Sequence, residues 1–278
     1  MIRKRETAFR TAQVAAALFF GMALLVSGQT GAQSQMQPET WKFDAYIYGY
    51  FPQLGGSFTF PTGTTANLTV PADEVIHNLK FAAMGWLAAQ KGQWGGFTDL
   101  IYADISGSKS ATRDISIGGI TIPAGITADA NLDVKSTLWT LAGSYRFVDT
   151  PEAGFDLFAG ARLLDMTQNL GWQFSADVGP FVGPLRQGSS EVNINNWDAI
   201  IGAKGRYSFG ENREWYVPYY VDVGTGQDHL TWQIFGGLGY RFKWGDIIGV
   251  WRYIDYRFKD NNATFTMNGP AIGVGFHW

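Results

Sequence analysis

Six charged residues lie near the middle of segments in which apolar and polar residues alternate. They are Asp99, Arg162, Asp198, Lys204, Asp222 and Arg252. Each occupies a polar position of its segment, so in a β-strand each would point away from the apolar face. Charges of both signs on one enclosed face can form ion pairs, and an unpaired charge there would be costly. The pattern predicts either a packed polar interior or a narrow, charge-lined passage for ions or small solutes.

A second group of charged residues shares this face but lies nearer one end of the segments. Its members are Lys42, Asp44, Arg146, Asp156, Arg206 and Arg241. Glycines are interspersed on the same face, namely Gly160, Gly202, Gly237, Gly273 and Gly275. They leave room for long arginine side chains or for water, so they fit both interpretations.

The three histidines have no spacing that sets up catalysis. His229 follows Asp228, but adjacent side chains of an extended chain point in opposite directions. Neither His77 nor His277 is placed by its spacing next to a serine or aspartate that would complete a general-base arrangement. The sequence also has no histidine and carboxylate cluster with metal-ligand spacing and no phosphate-binding or dinucleotide motif. We therefore predict no catalytic residue, no cofactor and no metal.

Ten segments of roughly ten residues carry the alternation. They are Trp41–Phe51, Leu79–Ala89, Gly96–Ile105, Ser136–Phe147, Phe155–Met166, Trp197–Phe209, Trp215–Val223, Leu230–Phe242, Ile247–Phe258 and Phe265–Trp278. A strand that spans a membrane needs about 9–11 residues, which matches this length. In the third segment Asp99 should face inward, which turns Phe97 and Ile101 inward as well.

The connections between these segments alternate between short and long. The short ones are Lys91–Trp94, Val148–Gly154, Gly210–Glu214 and Lys243–Asp246; the others are Pro52–Asn78, Ser106–Lys135, Thr167–Asn196 and Gly224–His229. Short turns at one end and longer loops at the other are typical of barrels in the bacterial outer membrane. We predict an all-β, antiparallel up-and-down transmembrane barrel of about 10 strands over residues 41–278. Eight or twelve strands also fit, because the third segment and the second loop are ambiguous.

Two loops contain local structure of their own. Residues Asp114–Ile122 predict a hairpin around Gly118 and Gly119. Residues Pro71–Leu79 carry Val75, Ile76 and Leu79 at helical spacing, which fits a helix of one to two turns or a plain loop.

Both ends of the chain indicate export to the outer membrane. Basic residues precede an apolar stretch of thirteen residues, Val14–Val26, and small residues end at Ala32. This order predicts a cleaved signal peptide over residues 1–32, followed by a short periplasmic segment over residues 33–40. The last segment ends on Phe276 and Trp278, an aromatic ending in register that resembles the signal read by the barrel-assembly machinery.

Composition excludes several classes of protein. The formal net charge is -3 and there are 0 Cys, so neither a basic nucleic-acid-binding face nor a disulfide framework is expected. The chain has 11 Trp, 12 Tyr and 20 Phe, and many of them fall at segment ends. Such aromatic residues are typical of the girdles at membrane interfaces.

Four short stretches resemble a family of small, mostly uncharacterised bacterial outer-membrane β-barrels. These are Asn78–Gly85, Lys91–Tyr102, Ala159–Arg162 and Leu230–Gln233, and the resemblance extends over about Trp41–Trp278. It implies the fold and the compartment, and it brings no established activity or catalytic motif.

We therefore predict a porin-like, monomeric barrel of the Gram-negative cell envelope, in contact with outer-membrane lipids and lipopolysaccharide. Its predicted role is structural or that of a narrow pore for ions or small solutes. Adhesion or binding by the long outer loops is the alternative. A hydrolase acting on lipid A or peptides is the second alternative, with Asp228 and His229 as its residues.

Overall fold

The computed structural model describes residues 40–59, 65–111, 116–117, 120–121, 126–178, 181–182, 186–226, 229–258 and 264–278. The elements are β1 Lys42–Tyr50, β2 Gln53–Thr59, β3 Thr65–Val70, α1 Ala72–His77, β4 Leu79–Lys91, β5 Trp94–Ala111, β6 Ser116–Ile117, β7 Ile120–Thr121, β8 Ile126–Asp149, β9 Ala153–Val178, β10 Phe181–Val182, β11 Arg186–Phe209, β12 Trp215–Thr225, β13 His229–Arg241, β14 Asp246–Phe258 and β15 Thr264–His277. The predicted signal peptide lies outside the described residues. Among the described residues, no helix is both long and apolar enough to cross a membrane.

Ten strands form a closed antiparallel ring in the order β1, β4, β5, β8, β9, β11, β12, β13, β14, β15 and back to β1. The first and last strands pair from Asp44 opposite His277 to Tyr50 opposite Ala271. Two backbone hydrogen bonds between Phe43 and Trp278, at 2.8 and 3.1 Å, extend this seam to the last residue. Because a closed ring pairs the backbone groups of all its strands, it can stand in a bilayer. The prediction of a ten-stranded barrel is confirmed.

The side chains follow the predicted inward and outward alternation. Ile47 and Ile201 point outward and are 72% and 64% exposed, whereas Asp99 is 2% exposed. Phe97 and Ile101, which share the parity of Asp99, are also buried. An apolar exterior around a polar interior is the arrangement that a lipid environment favours.

Four strands are much longer than the sequence predicts. Strands β5, β8, β9 and β11 contain 18, 24, 26 and 24 residues, so they occupy most of what we predicted to be the loops Ser106–Lys135 and Thr167–Asn196. Charged side chains lie on the outer face of these extensions, where Asp133 contacts Lys80 at 3.5 Å and Lys135 contacts Asp104 at 3.9 Å. A polar exterior indicates that this part of the wall has left the lipid.

The first long connection is also more ordered than the sequence predicts. Strands β2 and β3 form a hairpin, and β2 pairs with β15 with Leu54 opposite Met267. The predicted helix is present as α1. At the position of the predicted Gly-Gly hairpin, β6 pairs with β7 with Ile117 opposite Ile120, and the two glycines lie outside the described residues.

The interior of the ring changes character along the barrel axis. Towards the end with the long connections, here called the long-loop end, an apolar core contains Leu138, Leu164 and Ile254. Next come the buried ion pairs and then a group of aromatic residues. A cavity lies beyond them, towards the other end, here called the short-turn end.

Candidate functional site

One buried ion pair joins β9 to β12. A guanidinium nitrogen of Arg162 donates to Asp222, and Arg162 Nε donates to Thr140 Oγ1 at 3.2 Å. Neither Arg162 nor Asp222 has any side-chain exposure. Because a lone buried charge would be strongly destabilising, each of these residues depends on the other.

A second ion pair crosses the lumen. Arg252 on β14 donates to Asp99 on β5 at 2.6 Å and to Gln233 at 3.0 Å. Tyr48 supports the pair, since its hydroxyl donates to Asp99 at 2.5 Å and accepts from Arg252 at 3.1 Å. Strands β5 and β14 are four positions apart in a ring of ten, so they stand on nearly opposite walls. This pair therefore bars the lumen.

Five aromatic side chains fill the lumen beside this pair. They are Trp86, Phe97, Phe158, Tyr220 and Phe235, here called the aromatic layer. Tyr220 stacks on Phe235 with ring centroids 4.8 Å apart, and Trp86 stacks on Phe97 at 4.4 Å. Offset and edge-to-face ring contacts of this kind add stability beyond area burial, which favours a fixed arrangement.

The six predicted lumen residues all face the interior, at two different levels. Asp99, Arg162, Asp222 and Arg252 form the two ion pairs, and Asp198 is buried opposite Arg162 in the ladder. Lys204 is different, because it lies directly opposite Asp156 and contacts that carboxylate at 2.8 Å. We predicted Lys204 among the mid-segment charges and Asp156 nearer one end, but the ladder register places these two residues at one level.

Asp156 is the centre of a charged cluster nearer the short-turn end. It accepts hydrogen bonds from Arg146 Nε at 2.7 Å and Nη2 at 3.2 Å, in addition to the contact from Lys204. Arg146 also lies 3.5 Å from Asp149. Two cations around one buried carboxylate compensate its charge, so this cluster holds the wall together.

A cavity of about 280 Å³ lies between the aromatic layer and the short-turn end. The ion pair of Arg252 and Asp99 lines its deep end, together with Tyr220 and Phe235. Residues Asp149 and Thr150, at the turn between β8 and β9, line its other end. The cavity is therefore blocked on the lumen side and reaches the short-turn rim of the barrel.

His277 joins the two ends of the ring at this rim. Its Nδ1 lies 2.5 Å from Asp44 and its Nε2 lies 2.8 Å from Asp246. The hydroxyls of Tyr46 and Tyr216 also donate to Asp246, at 3.1 and 2.9 Å. Sequence spacing did not predict this contact, although the inward parity of His277 is a partial signal. The described residues contain no group of three ligands arranged to hold a metal ion.

No protein-family model matches the sequence, and no curated protein matches it. Among solved structures, the outer membrane protease OmpT from Escherichia coli has a TM-score of 0.49 at 10% identity, covering 88% of this chain and 99% of that chain. The translocator domain of the autotransporter NalP from Neisseria meningitidis has a TM-score of 0.41 at 14% identity, covering 98% and 97%. Ail, the attachment invasion locus protein of Yersinia pestis, has a TM-score of 0.29 at 9% identity, covering 86% and 99%.

These neighbours differ in their named roles. The fold rests on the closed ring of strands and on its apolar exterior. The chain is thus an all-β transmembrane barrel of the outer-membrane type.

Proposed function

We propose that this protein is a closed structural barrel of the bacterial outer membrane and not a permanently open pore. The observation that supports this most is the ion pair of Arg252 and Asp99, which crosses the lumen with both side chains almost completely buried. An ion passing this level would have to displace a buried, hydrogen-bonded pair and would lose its own hydration.

The aromatic layer and the apolar core support the same proposal. Tyr220, Leu164 and Ile254 are at most 1% exposed, so little room for water is left around them. Barrels of about eight strands are just wide enough for side chains to fill the interior, and a ten-stranded barrel is close to that size. The lumen is therefore a core that stabilises the wall.

The contacts of His277 argue against a hydrolase at the short-turn rim. Both of its ring nitrogens contact carboxylates, so neither is left to accept a proton from a nucleophile. Of the predicted pair, Asp228 lies outside the described residues. The proposal therefore assigns no catalytic role.

The orientation and partners follow from the same arrangement. The short-turn end faces the periplasm, and the exposed apolar belt contacts outer-membrane lipid and lipopolysaccharide. Phe276 lies on the outer face of β15 and Trp278 directly follows that strand; they are 43% and 68% exposed, so the barrel-assembly machinery can bind them. The seam between β1 and β15 leaves no free strand edge there to pair with a second copy, which supports a monomer.

Planar-bilayer recording tests the closed lumen. The wild-type barrel should give no stepwise current, and the double variant Arg252→Ala/Asp99→Ala should also stay silent, because the apolar core and the aromatic layer still fill the lumen. The exposed pair Arg213 and Glu152 provides the control, and Arg213→Ala/Glu152→Ala should stay silent. Regular stepwise openings of the wild-type protein would overturn the proposal in favour of a narrow pore.

A further inference from the structure

The cavity at the short-turn end carries more positive charge than its carboxylates can neutralise. Five basic and four acidic residues line it. All four carboxylates have a partner: His277 contacts Asp44, Arg252 contacts Asp99, and Arg146 contacts both Asp149 and Asp156. Lys204 also contacts Asp156, which leaves two basic lining residues.

Lys42 and Arg206 line this cavity without a carboxylate partner in the part of the chain that the structure describes. Lys42 lies on β1 and Arg206 lies on β11, five positions apart in a ring of ten. They therefore stand on opposite walls at the rim. Two free cations that face each other across a blind cavity attract an anion into it.

Below this rim the cavity has an aromatic lining. Seven of its lining residues are aromatic, and Tyr216, Tyr220 and Phe235 are those among them that matter for the ligand. The hydroxyl of Tyr216 donates to Asp246 at 2.9 Å, and Phe235 is held by its stacking on Tyr220. Fixed ring faces of this kind bind flat apolar groups without a large loss of side-chain entropy.

We propose that this cavity binds a small organic anion with a flat apolar body, such as an aromatic carboxylate. The body lies against Tyr216 and the aromatic layer, and the carboxylate lies between Lys42 and Arg206. A volume of about 280 Å³ is just below the range of about 300–1,000 Å³ typical of pockets for drug-sized ligands, so the ligand is a small one. This inference goes beyond the closed-barrel proposal and does not depend on it.

Calorimetric titration of the folded, detergent-solubilised barrel tests the inference with benzoate as the probe. Benzoate should bind saturably to one site per chain. Benzyl alcohol lacks the charge and acetate lacks the ring, so each should bind at least about tenfold more weakly. Absence of saturable benzoate binding, or equal affinities for benzoate and benzyl alcohol, would overturn the inference without any variant and without a conductance measurement.

Charge-removal variants locate the site. The double variant Lys42→Gln/Arg206→Gln should weaken benzoate binding by about tenfold or more, because charged hydrogen bonds are lost. The matched control Lys91→Gln/Lys243→Gln removes the same charge near the same end of the barrel, from residues that do not line the cavity. It should leave the affinity unchanged, and an equal loss in both variants would assign the effect to general surface charge. Gel migration before and after heating confirms that each variant is folded.

Discussion

The two halves of the lumen are filled in opposite ways. Towards the long-loop end, Leu138, Leu164 and Ile254 form an apolar core like that of a water-soluble barrel. Towards the short-turn end, the wall carries the charged cluster of Asp156 and a cavity. The same ten strands build both halves, so strand number alone does not determine what a lumen contains.

The solvent outside the wall explains the difference. Around the ion pairs the exterior is apolar, as Ile201 shows, and polar side chains therefore point inward. Just beyond Leu164 the exterior becomes polar, where Asn195 donates to Asp165 at 2.5 Å. There the wall stands in water, and apolar side chains turn inward as they do in soluble proteins. The inversion of the interior marks the level at which the strands leave the lipid.

The largest effect is expected from breaking the pair between Arg162 and Asp222. The substitution Arg162→Ala leaves a buried, uncompensated carboxylate and should lower the free energy of unfolding by about 3–5 kcal/mol. Denaturant titration in phospholipid vesicles measures it. The exposed residue Arg213 is the control, and Arg213→Ala should cost about 0–1 kcal/mol. Equal losses for both variants would show that the buried pair is not part of a closed interior.

The next largest effect is the difference in stability cost between truncating a side chain in the packed half of the lumen and truncating one in the half that contains the cavity. Leu164→Ala should cost about 2–5 kcal/mol, because Leu164 is 0% exposed and a void would remain. Ile248 lines the cavity, so Ile248→Ala should cost less, about 1 kcal/mol. The same unfolding titration compares them. A larger loss at Ile248 than at Leu164 would contradict the difference in packing.

An arginine scan along the outer face of β11 should locate the lipid boundary. Ile201→Arg places a charge in the apolar belt and should cost about 2–4 kcal/mol. Asn193→Arg lies on the same face of the same strand above the belt and should cost about 0–1 kcal/mol. Folding yield into vesicles and denaturant titration report both values. If arginine is tolerated equally at both positions, the assignment of the lipid boundary is wrong.

A smaller effect is expected at the seam of the ring. His277→Gln retains only one amide donor group for two carboxylates, so it should cost about 1–3 kcal/mol. Tyr46→Phe, which removes one of several donors to Asp246, should cost about 0.5–1.5 kcal/mol. Thermal unfolding in detergent compares them. A greater loss from Tyr46→Phe would show that His277 is not the main link between the terminal strands.

The wall of the barrel could be predicted from sequence because its period of two is local. The inward position of Asp99 alone predicts that Phe97 and Ile101 also face inward, and both are buried. The short turns predict which strands are neighbours in the ring. The extensions are harder to predict because Asp133 and Lys135 of β8 occupy outward positions, where a lipid-facing strand carries apolar residues, so the alternation is inverted there. A search for lipid-facing strands reads that inverted alternation as loop.

The contacts inside the lumen could not be predicted in the same way. Arg162 and Asp222 are 60 positions apart, Asp99 and Arg252 are 153 apart, and Asp44 and His277 are 233 apart. Which charges meet depends on the stagger of the strands around the ring, and one residue of stagger moves a side chain to another level. Lys204 shows this, because only the ladder register places it beside Asp156.

Cysteine accessibility tests most directly whether one half of the lumen is packed and the other open. The chain has 0 Cys, so a single introduced thiol reports one position. Leu164→Cys in the apolar core should resist an anionic methanethiosulfonate reagent until the barrel is unfolded, whereas Ile248→Cys in the cavity should react in the folded state. Equal and rapid labelling of both thiols in the folded barrel would contradict a closed lumen.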